Sequence, residues 1–117
     1  MYLSQLFLNN FRNYTEEYLQ FNPNLNLIVG ENAQGKTNLL EAIYLLGTGD
    51  SHRTNINSEL VNWDQDGFYL KGELIKETQD YKLEIKLKGR SKEIRVNNNR
   101  LEKNSDLLGY LNIIIFS

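Results

Sequence analysis

The eight residues Gly30-Glu31-Asn32-Ala33-Gln34-Gly35-Lys36-Thr37 constrain this chain more than any other stretch. They match G-x-x-x-x-G-K-[ST], the P-loop that wraps phosphate. Residues 25–29 before the loop read as a short buried strand, and residues 38–46 after it read as a helix. Strand, glycine loop and helix in that order is the context in which the motif works. Gly30 and Gly35 allow backbone angles that a Cβ would forbid. The loop can then turn several N–H groups inward on one anion. The helix is expected to start at about Gly35, so its unpaired N–H groups and the positive end of its dipole face the same anion. Lys36 brings a full charge to the β- and γ-phosphates of ATP, and the Thr37 hydroxyl is placed to ligate Mg²⁺.

The rest of the composition narrows the setting. A chain of 117 residues is one domain or part of one. No run approaches the roughly 18 apolar residues that a membrane span needs, and Met1 to Gln5 lack the basic start and apolar core of a signal peptide. Zero cysteines exclude a disulfide framework and a thiolate metal site and fit a reducing cytoplasm. The single His52 cannot build a metal site alone. Net charge is −2, but its distribution is uneven. Residues 1–80 hold 5 basic and 11 acidic side chains, whereas residues 81–103 hold 8 basic and 3 acidic.

Taken in order, residues 2–8 read as a strand, residues 9–14 as a polar turn with aromatic residues inside it, and residues 15–21 as a second strand. A short turn between two strands favours an antiparallel pair. The turn at residues 22–24 is built on the only proline and leads to the P-loop strand, expected to be central. After the loop, Leu39, Leu40, Ile43, Leu46 and Ala42 give the helix an apolar stripe that packs on a sheet, and Gly47-Thr48-Gly49 stops it. Residues 50–57 are loop-like, and Ser58 is a candidate cap for a short helical turn. Period two then takes over. Residues 67–97 read as an antiparallel meander with one wet face, clearest where apolar and charged residues alternate over 81–87. Asn97-Asn98-Asn99 marks a turn, residues 104–110 a short helix, and residues 112–116 a last apolar strand.

Three stretches together resemble a known family. Asn10-Phe11-Arg12-Asn13-Tyr14, the loop and helix from Gly30 to Tyr44, and Ser51-His52-Arg53-Thr54 are similar, in order, to the start of the RecF family of bacterial DNA repair proteins. That family sits among the SMC-like, ABC-type ATPases. The resemblance implies an α/β P-loop NTPase fold, here its N-terminal lobe, with mixed and antiparallel sheet around the P-loop helix. It implies a protein about three times this length, whose signature and Walker B motifs are not visible here. Residues 113–116 are the one apolar run resembling a Walker B strand, and they end in Ser117 rather than an acid. The family's functions follow as expectations: ATP-controlled DNA binding in replication, recombinational and gap repair and the SOS response, an ATP-dependent homodimer, and RecO and RecR as partners.

Candidate residues follow from both lines. Gly30, Glu31, Asn32, Ala33, Gln34, Gly35, Lys36 and Thr37 are expected to hold ATP, with Thr37 on Mg²⁺. Arg12 is a contact to phosphate or adenosine by resemblance, or else a solvated turn residue. His52 reads as structural or exposed, Asp50 as a loop residue and Glu41 as helix surface, rather than as acid–base groups. Lys82, Lys86, Lys88, Arg90, Lys92 and Arg95, continued by Arg100 and Lys103, are either a stripe for DNA phosphates or the solubilising charge of a wet sheet face. Lys82 and Lys86 fall on one face by alternation. Three classes stay open: a DNA repair ATPase lobe, another ABC-type ATPase subunit, and a nucleotide-binding lobe without turnover.

Overall fold

The computed structural model describes residues 2–21, 33–76 and 79–103. Among the described residues six strands form one sheet: β1 (Tyr2–Phe11), β2 (Tyr14–Gln20), β3 (Gly67–Lys76), β4 (Gln79–Lys88), β5 (Ser91–Val96) and β6 (Asn99–Leu101). Their order across the sheet is β2-β1-β3-β4-β5-β6, and each neighbouring pair is antiparallel. One helix, α1 (Ala33–Thr48), packs on one face. It includes the expected start at about Gly35. The P-loop strand, residues 104–110 and the apolar run at 112–116 lie outside the described residues.

Alternation builds the sheet. Phe68, Leu70 and Leu74 from β3, Leu83, Ile85 and Leu87 from β4, and Ile94 and Val96 from β5 are buried under the helix side. In β1, Leu3 and Leu6 both face inward although they are three residues apart. A bulge between Leu3 and Gln5 absorbs the extra residue. Gly72 has a packing reason: a Cβ there would lie 3.0 Å from Leu46 Cδ1 of α1 and 3.1 Å from Leu3 Cδ1. The helix can therefore sit close on β3.

The turns differ from expectation in informative ways. Asn9, Asn10 and Phe11 belong to β1, and Phe11 is fully buried, edge-on to Phe68 at 5.3 Å. The turn itself is only Arg12–Asn13, with Arg12 at φ 52°. Asn97 (φ 50°) and Asn98 (φ 71°) form a two-residue hairpin turn, the conformation asparagine tolerates best after glycine. The turn returns the chain as β6, a strand too short to show as alternation. Gly49, at φ 84°, ends α1 by donating its N–H to the Leu45 carbonyl at 2.7 Å. Ser58 does not cap. It lies inside the 3₁₀ turn Asn57–Leu60, whose N-cap residue Ile56 makes no side-chain bond. Just ahead of the turn, Thr54 Oγ1 accepts the Ile56 N–H at 3.0 Å, and the hydroxyl bonds Glu59.

Candidate functional site

The N-terminal half of α1 carries an unusual stripe. Asn38, Glu41 and Leu45 recur at helical spacing on the side that packs inward, and all three are buried. Glu41 is fully buried, so its assignment to the helix surface is corrected. A buried carboxylate needs partners, and two distant segments supply them. From the β1–β2 turn, Arg12 donates Nε–H to Glu41 Oε1 at 2.8 Å and Nη2–H to Oε2 at 2.9 Å. From the loop after α1, Ser51 donates its hydroxyl to Oε2 at 2.5 Å, and Arg53 Nη1 donates to Oε1 at 3.2 Å. Arg53 Nη1 also reaches Asn38 Oδ1 at 2.7 Å, and Asn38 Nδ2 donates to Asn13 Oδ1 at 2.8 Å. Burial alone pushes the Glu41 carboxyl up. Hydrogen bonds from Arg12 and Ser51 and the two guanidinium charges outweigh it, so the net shift is downward. Hydrogen bonding to Glu41 raises Arg12 in turn, against the opposing effect of burial.

Ser51-His52-Arg53-Thr54 thereby gains a structural role. Ser51 Oγ also accepts the N–H groups of Arg53 (3.0 Å) and Thr54 (3.2 Å), which curls the loop so that Arg53 turns back over α1. His52 points elsewhere, against the Tyr44 ring at 5.1 Å, and Asp50 is an exposed loop residue, as expected.

The clasp forms one wall of a cleft of about 330 Å³ whose lining includes Arg12, Asn13, Asn38, Arg53, Asn62 and Trp63. Arg12 and Arg53 keep 21% and 35% side-chain exposure, so both cations are engaged by Glu41 yet accessible from the cleft. Thr37, the last P-loop residue, is exposed on α1 immediately before Asn38. Two guanidinium groups, three amides and the N-terminal part of a helix suit a polyanion, although Glu59 puts a carboxylate on the same lining; a threonine hydroxyl such as that of Thr37 is a hard oxygen donor of the kind Mg²⁺ takes. Residues Gly30, Glu31 and Asn32, and the side chains of Ala33 to Lys36, lie outside what the structure describes.

The basic residues do not form one stripe. Lys82, Glu84, Lys86 and Arg95 share the face opposite α1, but acids are interleaved with them. Lys82 Nζ lies 3.6 Å from Glu84, and Arg95 Nε lies 3.0 Å from Glu93. Arg95 lowers the Glu93 carboxyl first by hydrogen bonding. Lys92 is on the other face. Its Nζ donates to the Gly49 carbonyl at 2.8 Å and lies 3.7 Å from Asp50, so it places a cation at the C-terminus of α1. Lys86, Lys88 and Arg90 are exposed. On the same outer face, Tyr69 donates its hydroxyl to Glu84 Oε2 at 2.5 Å, beside Phe7.

A helix that follows a P-loop sequence and packs on an antiparallel sheet fits a P-loop NTPase lobe. The chain matches the AAA domain family over residues 5–114 and belongs to it. It is 45% identical, over its full length, to the DNA replication and repair protein RecF of Clostridium acetobutylicum, and 42% identical to that of Halothermothrix orenii. It spans 32% and 31% of those proteins, so about a third of the length of the curated relatives it matches. Among solved structures, the recombination mediator protein RecF bound to ATP in the RecFOR pathway superposes with a TM-score of 0.89 at 43% identity, covering 99% of this chain and 32% of that one. The SMC head domain from Thermotoga maritima shares the fold, with a TM-score of 0.69 at 20% identity over 92% of this chain and 41% of that one.

Proposed function

We propose that this chain is the ATP-binding lobe of a RecF-type DNA replication and repair protein. The observation that carries the reading is the pair of guanidinium groups, Arg12 and Arg53, that Glu41 gathers beside the N-terminal half of α1. In this reading residues 30–37 hold the phosphates, with Lys36 on the β- and γ-phosphates. Arg12 approaches the nucleotide from the cleft wall while Glu41 keeps its orientation. Mg²⁺, held through the Thr37 hydroxyl, would supply charge neutralisation between phosphate oxygens. The similarity to a RecF bound to ATP supports the choice of nucleotide.

The wider role rests on the same relatives. ATP binding would control how the whole protein, as a homodimer in the cytoplasm, engages DNA together with RecO and RecR. On this lobe Lys86, Lys88, Arg90, Arg100 and Lys103 are exposed basic residues that would be open to DNA phosphates. Titration calorimetry with ATP·Mg²⁺ tests the core of the reading. Lys36→Ala should lose most triphosphate affinity, because its contacts are charge-assisted. Affinity equal to the parent's would exclude the assigned site. Phosphate release above that of Lys36→Ala separates turnover from binding alone.

A further inference from the structure

Trp63 is the only tryptophan in the chain, and it is 89% exposed. It does not stand on a loose loop. The Asn62 N–H donates to the Asn10 carbonyl at 2.8 Å, and Asn62 Nδ2 donates to the Arg12 carbonyl at 2.6 Å. Just before them, Val61 bridges Phe11, and the Arg12 N–H donates to the Leu60 carbonyl at 2.8 Å. The Gln65 N–H closes a turn onto the Asn62 carbonyl at 3.2 Å. The backbone that carries the indole is thus stitched to the same turn that presents Arg12.

This anchoring holds an open aromatic face on the cleft that Arg12, Asn13, Asn38, Arg53 and Glu59 also line. A planar apolar surface beside guanidinium groups and side-chain amides is the chemistry that receives a nucleobase. The position agrees. Asn38 lies five residues into α1 from Ala33, about 7.5 Å along the axis at 1.5 Å per residue. The cleft therefore adjoins the helix end to which the phosphates are assigned, within the span of one nucleotide.

We propose that Trp63 is the stacking platform for the base of the bound nucleotide, and so a specificity-determining residue of the site. The proposal rests on the phosphate site proposed above. Stacking needs only a π-face, so Trp63 selects a nucleotide over bare polyphosphate and favours the larger face of a purine. The test titrates ATP and inorganic tripolyphosphate, each with Mg²⁺, into the full chain and into Trp63→Ala and Trp63→Phe. Trp63→Ala should lose ATP affinity by about 5- to 150-fold, the range of one base–aromatic stack, while tripolyphosphate affinity stays unchanged. Trp63→Phe should retain most of the ATP affinity, and ATP should quench the parent's tryptophan emission. Equal ATP affinity in the parent and Trp63→Ala, with tripolyphosphate still bound, would overturn the stacking role and leave the indole to a macromolecular partner. Failure of the parent to bind either ligand would refute the phosphate site, and this proposal with it.

Discussion

Replacing Glu41 with Gln preserves the shape of the clasp and removes its charge. Glu41 has no exposed side-chain surface, and Arg12, bound to it through two hydrogen bonds, is 21% exposed. Removing one partner of a buried ion pair costs about 3–5 kcal/mol, because the other charge stays desolvated. Two features of the clasp adjust that figure. Arg53 is 35% exposed, so water screens it and its bond contributes little. The glutamine keeps one oxygen but turns an amide donor toward two of the four hydrogen-bond donors that Glu41 accepts. The expected loss is about 2–4 kcal/mol at pH 7, read from urea unfolding followed by circular dichroism. The folded carboxyl titrates below its ordinary 4.5, so its stabilisation is complete above that pH and disappears as pH falls through the folded value. The parent should therefore approach the stability of Glu41→Gln in acid. Replacing Arg12 and Glu41 together with Met should recover much of the single-variant loss, since the one cation that then loses its carboxylate, Arg53, is 35% exposed and screened by water. A loss under about 1 kcal/mol at pH 7, or a gap between parent and variant that does not narrow in acid, would refute the assignment of a buried, mutually dependent ion pair.

Three further outcomes follow from the geometry. Gly67→Ala would place a Cβ 1.9 Å from the Leu87 carbonyl oxygen; the β3–β4 pairing must part there at about 1–3 kcal/mol, and amide hydrogen exchange at the Lys88 end should accelerate. Tyr69→Phe removes the hydroxyl bonded to Glu84 Oε2, while Glu84 Oε1 already has no hydrogen-bond partner; the variant should unfold about 1–2 kcal/mol more easily, and unchanged stability would show the bond to be worth nothing. Lys88→Glu with Arg90→Glu should weaken DNA binding and reduce the salt slope by about 0.9 for every phosphate that these side chains neutralise. An unchanged slope would assign those side chains to solubility alone.

Elements with a strong local signal were legible. The alternation of residues 81–87 gave β4 its faces, and Gly49 ended α1 where a left-handed cap was needed. The stop of the first strand was not legible. Asn9 and Asn10 favour turns by local chemistry, yet their place is fixed by pairing, with Asn9 opposite Glu16 and Tyr69. The Ser58 cap failed because the 3₁₀ turn begins at Asn57, so Ser58 lies inside it. Glu41 was the largest surprise in the site. A signal existed, since Asn38, Glu41 and Leu45 share one helical stripe with the buried face, but a glutamate on a helix is ordinarily solvated.

The sequence by itself determined the helix that follows the P-loop motif and the two-residue period of the meander, because each depends on neighbours a few positions away. Only the tertiary structure decided what the charges do. Arg12, Glu41 and Arg53 are up to 41 residues apart, and only the packing of the β1–β2 turn, α1 and the 51–54 loop brings them within hydrogen-bonding distance. The same packing separated Lys92 from the basic residues around it, placing it under the end of α1. What a charged side chain does is set by which opposite charge folding places beside it, and by how much water remains between them.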